Sequence, residues 1–197
     1  VGGGASGITS AIQSSRLGSK TLLIEKTNWL GGMLTSAGVS AIDGNYNMPS
    51  GFIKEFRDSL VSYYGSLESL KTGWVSNIMF EPSVGNKILN SIAQSESNLD
   101  IIFNSSVEEI YSKNDKWELT FYTNSDLQKV KSKILIDATE LGDLIPMLDI
   151  PYSIGMDSNT QFGEKIAPLK SNNIIQDLTY VMILKDYGKD VTIDKPL

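Results

Sequence analysis

Within the first seven residues, VGGGASG, glycine stands at positions 2, 3, 4 and 7. Gly2, Gly4 and Gly7 have the spacing G-x-G-x-x-G. In that spacing the first glycine permits a tight turn out of a strand. The second has no Cβ, so the backbone can approach a diphosphate, and the third lets a helix pack closely on a sheet. Ile8, Ala11 and Ile12 then recur at helical spacing, which predicts a short helix from Ala5 to Leu17, stopped by Gly18. The N–H groups and the dipole at the mouth of such a helix favour an anion. A plain glycine loop carries the same letters, so the pattern needs support from other residues.

Support comes from TLLIEK. Leu22, Leu23 and Ile24 form a continuous apolar run, as expected of a parallel strand covered on both faces. Glycine loop, helix and strand make a βαβ unit whose first strand is represented only by Val1. Glu25 ends the second strand, 18 residues past Gly7. A carboxylate there can accept hydrogen bonds from both ribose hydroxyls of an adenosine, and it repels a 2′-phosphate. The plain alternative is a surface glutamate after a strand. Six and seven residues beyond Glu25 a second glycine pair follows, Gly31 and Gly32, within a long glycine-rich loop. A loop of that length in a compact domain usually has a task.

Downstream, Phe52, Phe56, Leu60 and Tyr63 or Tyr64 predict a helix. Pro82 to Ala93 predicts another, with Val84, Ile88, Leu89 and Ile92 as its stripe. From Leu99 the apolar period becomes 2. Trp117, Leu119 and Phe121 are expected on one face of a small antiparallel meander spanning about 100–132, with Glu118, Thr120 and Tyr122 on the other. KND and NSD supply the turns. KILIDA is expected as a second buried parallel strand, and LTYVMILK as a strand in the tail. We place a boundary near Pro151, giving a unit over 1–150 and the incomplete start of a second over 151–197.

Composition removes several chemistries. The chain has no cysteine and no histidine, so thiolate nucleophiles, imidazole bases, disulfides and Cys- or His-held metals are excluded. A net charge of −6 without a basic cluster argues against a nucleic-acid partner. No apolar run approaches the ~20 residues that span a bilayer, so no membrane partner is expected. Asp43, Asp58, Glu81 and Asp157 are isolated, and no pair is spaced for acid–base work. No catalytic residue is therefore named, and the chemistry falls to a bound cofactor.

With these residues in place, the chain resembles the FAD-dependent oxidoreductases of the two-dinucleotide-binding-domains type. Within them it is similar to the subfamily with a GG-x-x-T stretch, here Gly31, Gly32 and Thr35. FEPSVGNKIL, ILIDATELGDL, the Asp149–Tyr152 stretch DIPY, and QDLTYVMILKD with DKPL resemble further family stretches in the expected order. The resemblance implies an α/β, Rossmann-like FAD/NAD(P)-binding domain with a small antiparallel β-meander insertion. FAD is the implied cofactor and a small molecule the substrate. Gly2, Gly4 and Gly7 would hold the pyrophosphate, with donors from Ala5 and Ser6. Glu25, with Lys26 beside it, would hold the adenosine ribose, and Gly31, Gly32 and Met33 would line the path to the flavin. Val107 matches the position whose backbone meets the adenine. Ala138, Thr139, Gly142 and Asp143 would border the same cradle. Packing is an equally good reading of Ala138, and capping of a following helix an equally good one of Asp143. The chain departs from the family at Glu140, which stands where an ATG signature has its glycine. The nearly absent first strand and the missing glycine that closes the site around the ribityl chain lead us to expect a fragment. Two other readings stay open: a non-catalytic module binding ADP or a dinucleotide, and an NAD-dependent dehydrogenase.

Overall fold

The structure is a computed structural model, and it describes residues 1–73, 76–124 and 126–191. Helix α1 (Ala5–Arg16) follows the glycines directly and is stopped by Gly18, whose φ of 87° is left-handed. Strand β1 (Thr21–Ile24) comes next. After the glycine-rich loop, which contains a 3-10 turn at Gly32–Leu34, come helices α2 (Gly51–Tyr64) and α3 (Pro82–Gln94). Pro82 opens α3, where its missing N–H has no helical acceptor to lose.

Strand β2 (Leu99–Ile102) pairs with β1 in parallel, Thr21 opposite Leu99 through Ile24 opposite Ile102. The alternating stretch of the sequence is thus divided between two sheets. Its first residues extend the parallel sheet, and the antiparallel meander starts at Ser105. It consists of β3 (Ser105–Lys113), β4 (Lys116–Thr123) and β5 (Asp126–Ser132), in the order β3-β4-β5. Asn114 and Asp115, the KND turn, both have positive φ, as a two-residue hairpin requires. Of the NSD turn, Asn124 has φ 47° and Ser125 lies outside the described residues. Short helices α4 (Leu144–Met147) and α5 (Asn159–Phe162) complete the regular structure.

The parallel sheet is buried on both faces, and β1 shows why. Leu23 belongs to one apolar cluster with Ile8, Ile12, Phe56, Leu60 and Leu89, which seats α1, α2 and α3. Ile24, the next residue, belongs to a second cluster with Ile110, Leu119, Phe121 and Leu144, which seats the meander and α4. Trp117 is half-buried against that second cluster, so the expected inner face of β4 is found, although Thr120 on the other face is also buried. Tyr64, not Tyr63, closes the α2 stripe. Its hydroxyl donates to Glu81 Oε2 at 2.7 Å and accepts from the Glu81 N–H at 3.0 Å. Burial and that carboxylate push the phenol up to about 12. At the far end of α1, Arg16 bridges Glu55 and Glu96, each at 2.7 Å. Trp29 is half-buried, and Trp74 lies outside the described residues.

Two expected strands are not formed. KILIDA is irregular, with Ile134 76% exposed. It meets the sheet through Val1, which donates to the Ile136 carbonyl at 2.8 Å and accepts from the Ala138 N–H at 2.9 Å. That is one link of a parallel ladder, too little backbone pairing to fix a strand. LTYVMILK is likewise irregular and exposed, with Tyr180 93% exposed. Its apolar run, Tyr180 to Leu184, pairs with no strand among the described residues. DKPL lies outside the described residues. No helix among the described residues is long and apolar enough to cross a membrane.

Candidate functional site

The glycine bend is tied into the sheet by main-chain bonds. The Gly2 N–H donates to the Ile24 carbonyl at 2.9 Å, and the Gly31 N–H to the Gly3 carbonyl at 2.8 Å. Gly4 and Gly31 form a parallel bridge. The two glycine loops, far apart in sequence, are therefore laid side by side at the mouth of α1. Gly31 and Gly32 both have positive φ, 109° and 53°, a backbone that side chains resist.

The glycines of the bend are bare for different reasons. A Cβ on Gly7 would overlap the Gly2 carbonyl oxygen outright, and one on Gly2 would overlap the Ala138 carbonyl. These two positions are demanded by the fold. A Cβ on Gly3 would stand 2.8 Å from Glu25 Oε2, so Gly3 makes room for that carboxylate. Gly4 differs. The nearest backbone atom to a Cβ there is the Ala138 carbonyl oxygen at 4.0 Å, an ordinary contact; only the Glu140 side chain comes closer, at 3.0 Å. Nothing rigid requires Gly4 to be glycine, and its freedom from a side chain is available to a ligand.

Glu25 is buried beside the bend. Its Oε2 accepts the Gly3 N–H at 2.5 Å, and its Oε1 accepts the N–H and hydroxyl of Thr27, each at 2.7 Å. A carboxylate has about four acceptor positions, so these three bonds leave room for a ligand hydroxyl. Lys26 is exposed next to it. Thr35, the threonine of the GG-x-x-T stretch, is buried. Its hydroxyl donates to the Leu30 carbonyl at 2.5 Å, and its methyl packs where a Gly31 side chain would go.

The structure brings Gly2, Gly4, Gly7, Glu25, Gly31, Gly32, Ala138 and Thr139 to one corner. Ala5 and Ser6 lie there too, exposed in the first turn of α1, where N–H groups lack helical acceptors. Met33 is 54% exposed in the neighbouring turn. Ala138 packs between Gly2 and Gly7. Gly142 has φ 69°. Asp143 stands at the N-cap of α4 but its side chain makes no capping bond. Asp137 does that work instead, its Oδ2 accepting the Leu144 N–H at 3.1 Å while Oδ1 accepts the N–H and hydroxyl of Thr139. Val107 packs against the cluster on the opposite face of β1 from α1, at a bulge in β3.

Gly3, Thr27, Asn86 and Asp137 were not singled out from the sequence as site residues. Gly3 is signalled by the unbroken glycine run and Thr27 by its position two residues past Glu25. Asn86 has no such signal: it reaches from α3 to accept the Leu30 N–H at 2.9 Å, across 56 residues of chain. Beside the bend an apolar cavity of about 410 Å³ opens, walled by Ala5, Ile8, Leu34, Ile42, Phe52 and Phe56.

Residues 1–195 match the sequence model of a family described as FAD dependent oxidoreductase. Among solved structures, the chain is similar to a flavoprotein/dehydrogenase from Cytophaga hutchinsonii. Identity is 16%, the alignment covers 78% of this chain and 42% of that one, and the TM-score is 0.53. It is also similar to CabE, an aromatic hydroxylase from angucycline biosynthesis, at 11% identity, 70% and 29% coverage and a TM-score of 0.50. At such identities the likeness is one of fold. The chain spans 20% to 42% of the lengths of these and related solved chains. No curated protein matches it significantly.

Proposed function

The chain belongs to the FAD dependent oxidoreductase family, whose cofactor is FAD, and from that premise we propose that the corner around the bend holds the ADP half of that cofactor in a flavin-dependent oxidoreductase. The observation that carries this reading is the difference among the glycines. Gly2 and Gly7 are bare because the fold leaves no space, whereas Gly4 is bare where no rigid part of the fold needs it to be. A backbone without a side chain at a helix mouth is what a diphosphate needs for close approach. The residues present therefore fit the group.

In this reading Gly4 and the N–H groups of Ala5 and Ser6 face the diphosphate. Glu25 keeps one oxygen on Gly3 and the other on Thr27, which fixes its carboxylate beside the bend, and takes a ribose hydroxyl on its remaining lone pair. Lys26 lies at the edge of that pocket. Gly31, Gly32 and Met33 border the route toward the reacting end, with Thr139, Ala138, Gly142 and Asp143 on the opposite side. Val107 offers backbone to the adenine. The bound flavin supplies the hydride or electron-pair transfer. The apolar cavity suits a flat ring or the apolar part of a small substrate.

The test is the absorption spectrum of the purified full-length protein. A yellow protein whose flavin bands bleach under a reductant supports the reading. A colourless protein that still binds ADP contradicts it and favours a non-catalytic nucleotide module. A colourless protein that passes a hydride between a bound nicotinamide dinucleotide and a small-molecule substrate contradicts it in favour of a dehydrogenase.

A further inference from the structure

The Glu140 carboxylate lies over the corner just described. A Cβ on Gly4 would stand 3.0 Å from Glu140 Oε1, and one on Gly32 would stand 2.5 Å from the same atom. One oxygen therefore sits against both glycine loops at once, at the mouth of α1. We propose that the Glu140 carboxylate and the diphosphate of a dinucleotide compete for this place. Seating the diphosphate then requires Glu140 to swing off Gly4 and Gly32. The proposal rests on the reading of the bend as a dinucleotide site and adds to it an internal competitor that sets how tightly the ligand is held.

Three observations support the competition. The first is charge. A carboxylate at the positive end of a helix enjoys the attraction a phosphate would, and two anions cannot share it without repulsion. The second is the absence of an anchor. Among the described residues, none forms a hydrogen bond or ion pair with the Glu140 carboxylate, in contrast to the three bonds on Glu25. The third is the mounting. Asp137 binds the N–H and hydroxyl of Thr139, and Ala138 is bonded to Val1, so the main chain leading to Glu140 is fixed. Glu140 itself is exposed and can move about its own side-chain torsions without disturbing that main chain.

The experiment is a calorimetric titration of the cofactor-stripped, full-length protein with ADP and separately with adenosine. It compares the unaltered chain with Glu140→Gln and with Glu164→Gln. The latter removes the same charge from an exposed site outside the corner. Competition at the diphosphate predicts that Glu140→Gln tightens ADP binding by roughly 3- to 10-fold, the size of an interaction at a helix terminus. Adenosine, which has no phosphate, is bound equally by all three. Glu164→Gln leaves both affinities unchanged. Equal or weaker ADP binding by Glu140→Gln overturns the competition while the dinucleotide reading stands. So does an equal gain from Glu164→Gln. If none of the three proteins binds ADP or adenosine, the dinucleotide reading falls, and the competition with it.

Discussion

At the mouth of α1 the glycine bend is fixed mainly by main-chain bonds to its neighbours, whereas the 137–144 loop facing it, beyond the main-chain bond of Ala138 to Val1, hangs largely on the side chain of Asp137. The Gly2 and Gly31 N–H groups bond to the Ile24 and Gly3 carbonyls, and the Gly3 N–H to the Glu25 carboxylate, so the bend is tied to the sheet. In the loop, Asp137 accepts three bonds and the Thr139 hydroxyl accepts one more from the Asp143 N–H. The first arrangement specifies residues by what cannot fit. The second specifies them by what a carboxylate can reach. A cradle of one rigid wall and one wall held by polar side chains gives a ligand a fixed platform and a face that can adjust.

The comparison breaks most clearly at Gly7. Gly7→Ala would drive a methyl into the Gly2 carbonyl, and neither the helix nor the bend can yield without losing sheet bonds. A loss of about 3 kcal/mol or more of stability is expected, at the upper end of what overpacking costs. Denaturant unfolding measures it, and a loss under about 1 kcal/mol would show that the bend is softer than its bonds suggest. Asp137→Ala should be milder. Its bonds lie at an exposed position, so about 1–2 kcal/mol is expected, as for loss of a helix cap and its neighbours. Amide exchange should speed up at Thr139, Asp143 and Leu144 while Gly2, Gly3 and Gly31 keep their protection. Equal loosening of both loops would erase the distinction drawn between them.

How much of this was legible in the sequence follows the same division. Features written in local pattern were visible: the bend before α1, the α2 and α3 stripes, the Asn114–Asp115 turn and the position of Glu25. Each depends on neighbours within a few residues, or on a backbone conformation that only certain residues accept. Features that depend on a distant partner were not. LTYVMILK is more apolar than β4, yet β4 lies between two strands and LTYVMILK lies beside none that is described. Asn86 looks like any polar residue on α3, and its tether to Leu30 appears only once the chain is folded. Asp143 and Asp137 show the limit most sharply. The nearer acid had the better capping position, and the farther one makes the bond because the Asp137 side chain turns back over Thr139.

Gly4→Ala tests most directly whether Gly4 is bare for a ligand and not for the fold. Gly4 has φ −61°, which alanine accepts, and only the movable Glu140 side chain lies near the new methyl. A melting temperature within about 3 °C of the unaltered protein is expected, allowing roughly 1 kcal/mol for alanine at a helix N-cap. At least a tenfold loss of ADP affinity is expected with it, since the methyl stands where the diphosphate must approach. A stably folded Gly4→Ala variant that binds ADP as tightly as before would contradict the ligand reading of Gly4.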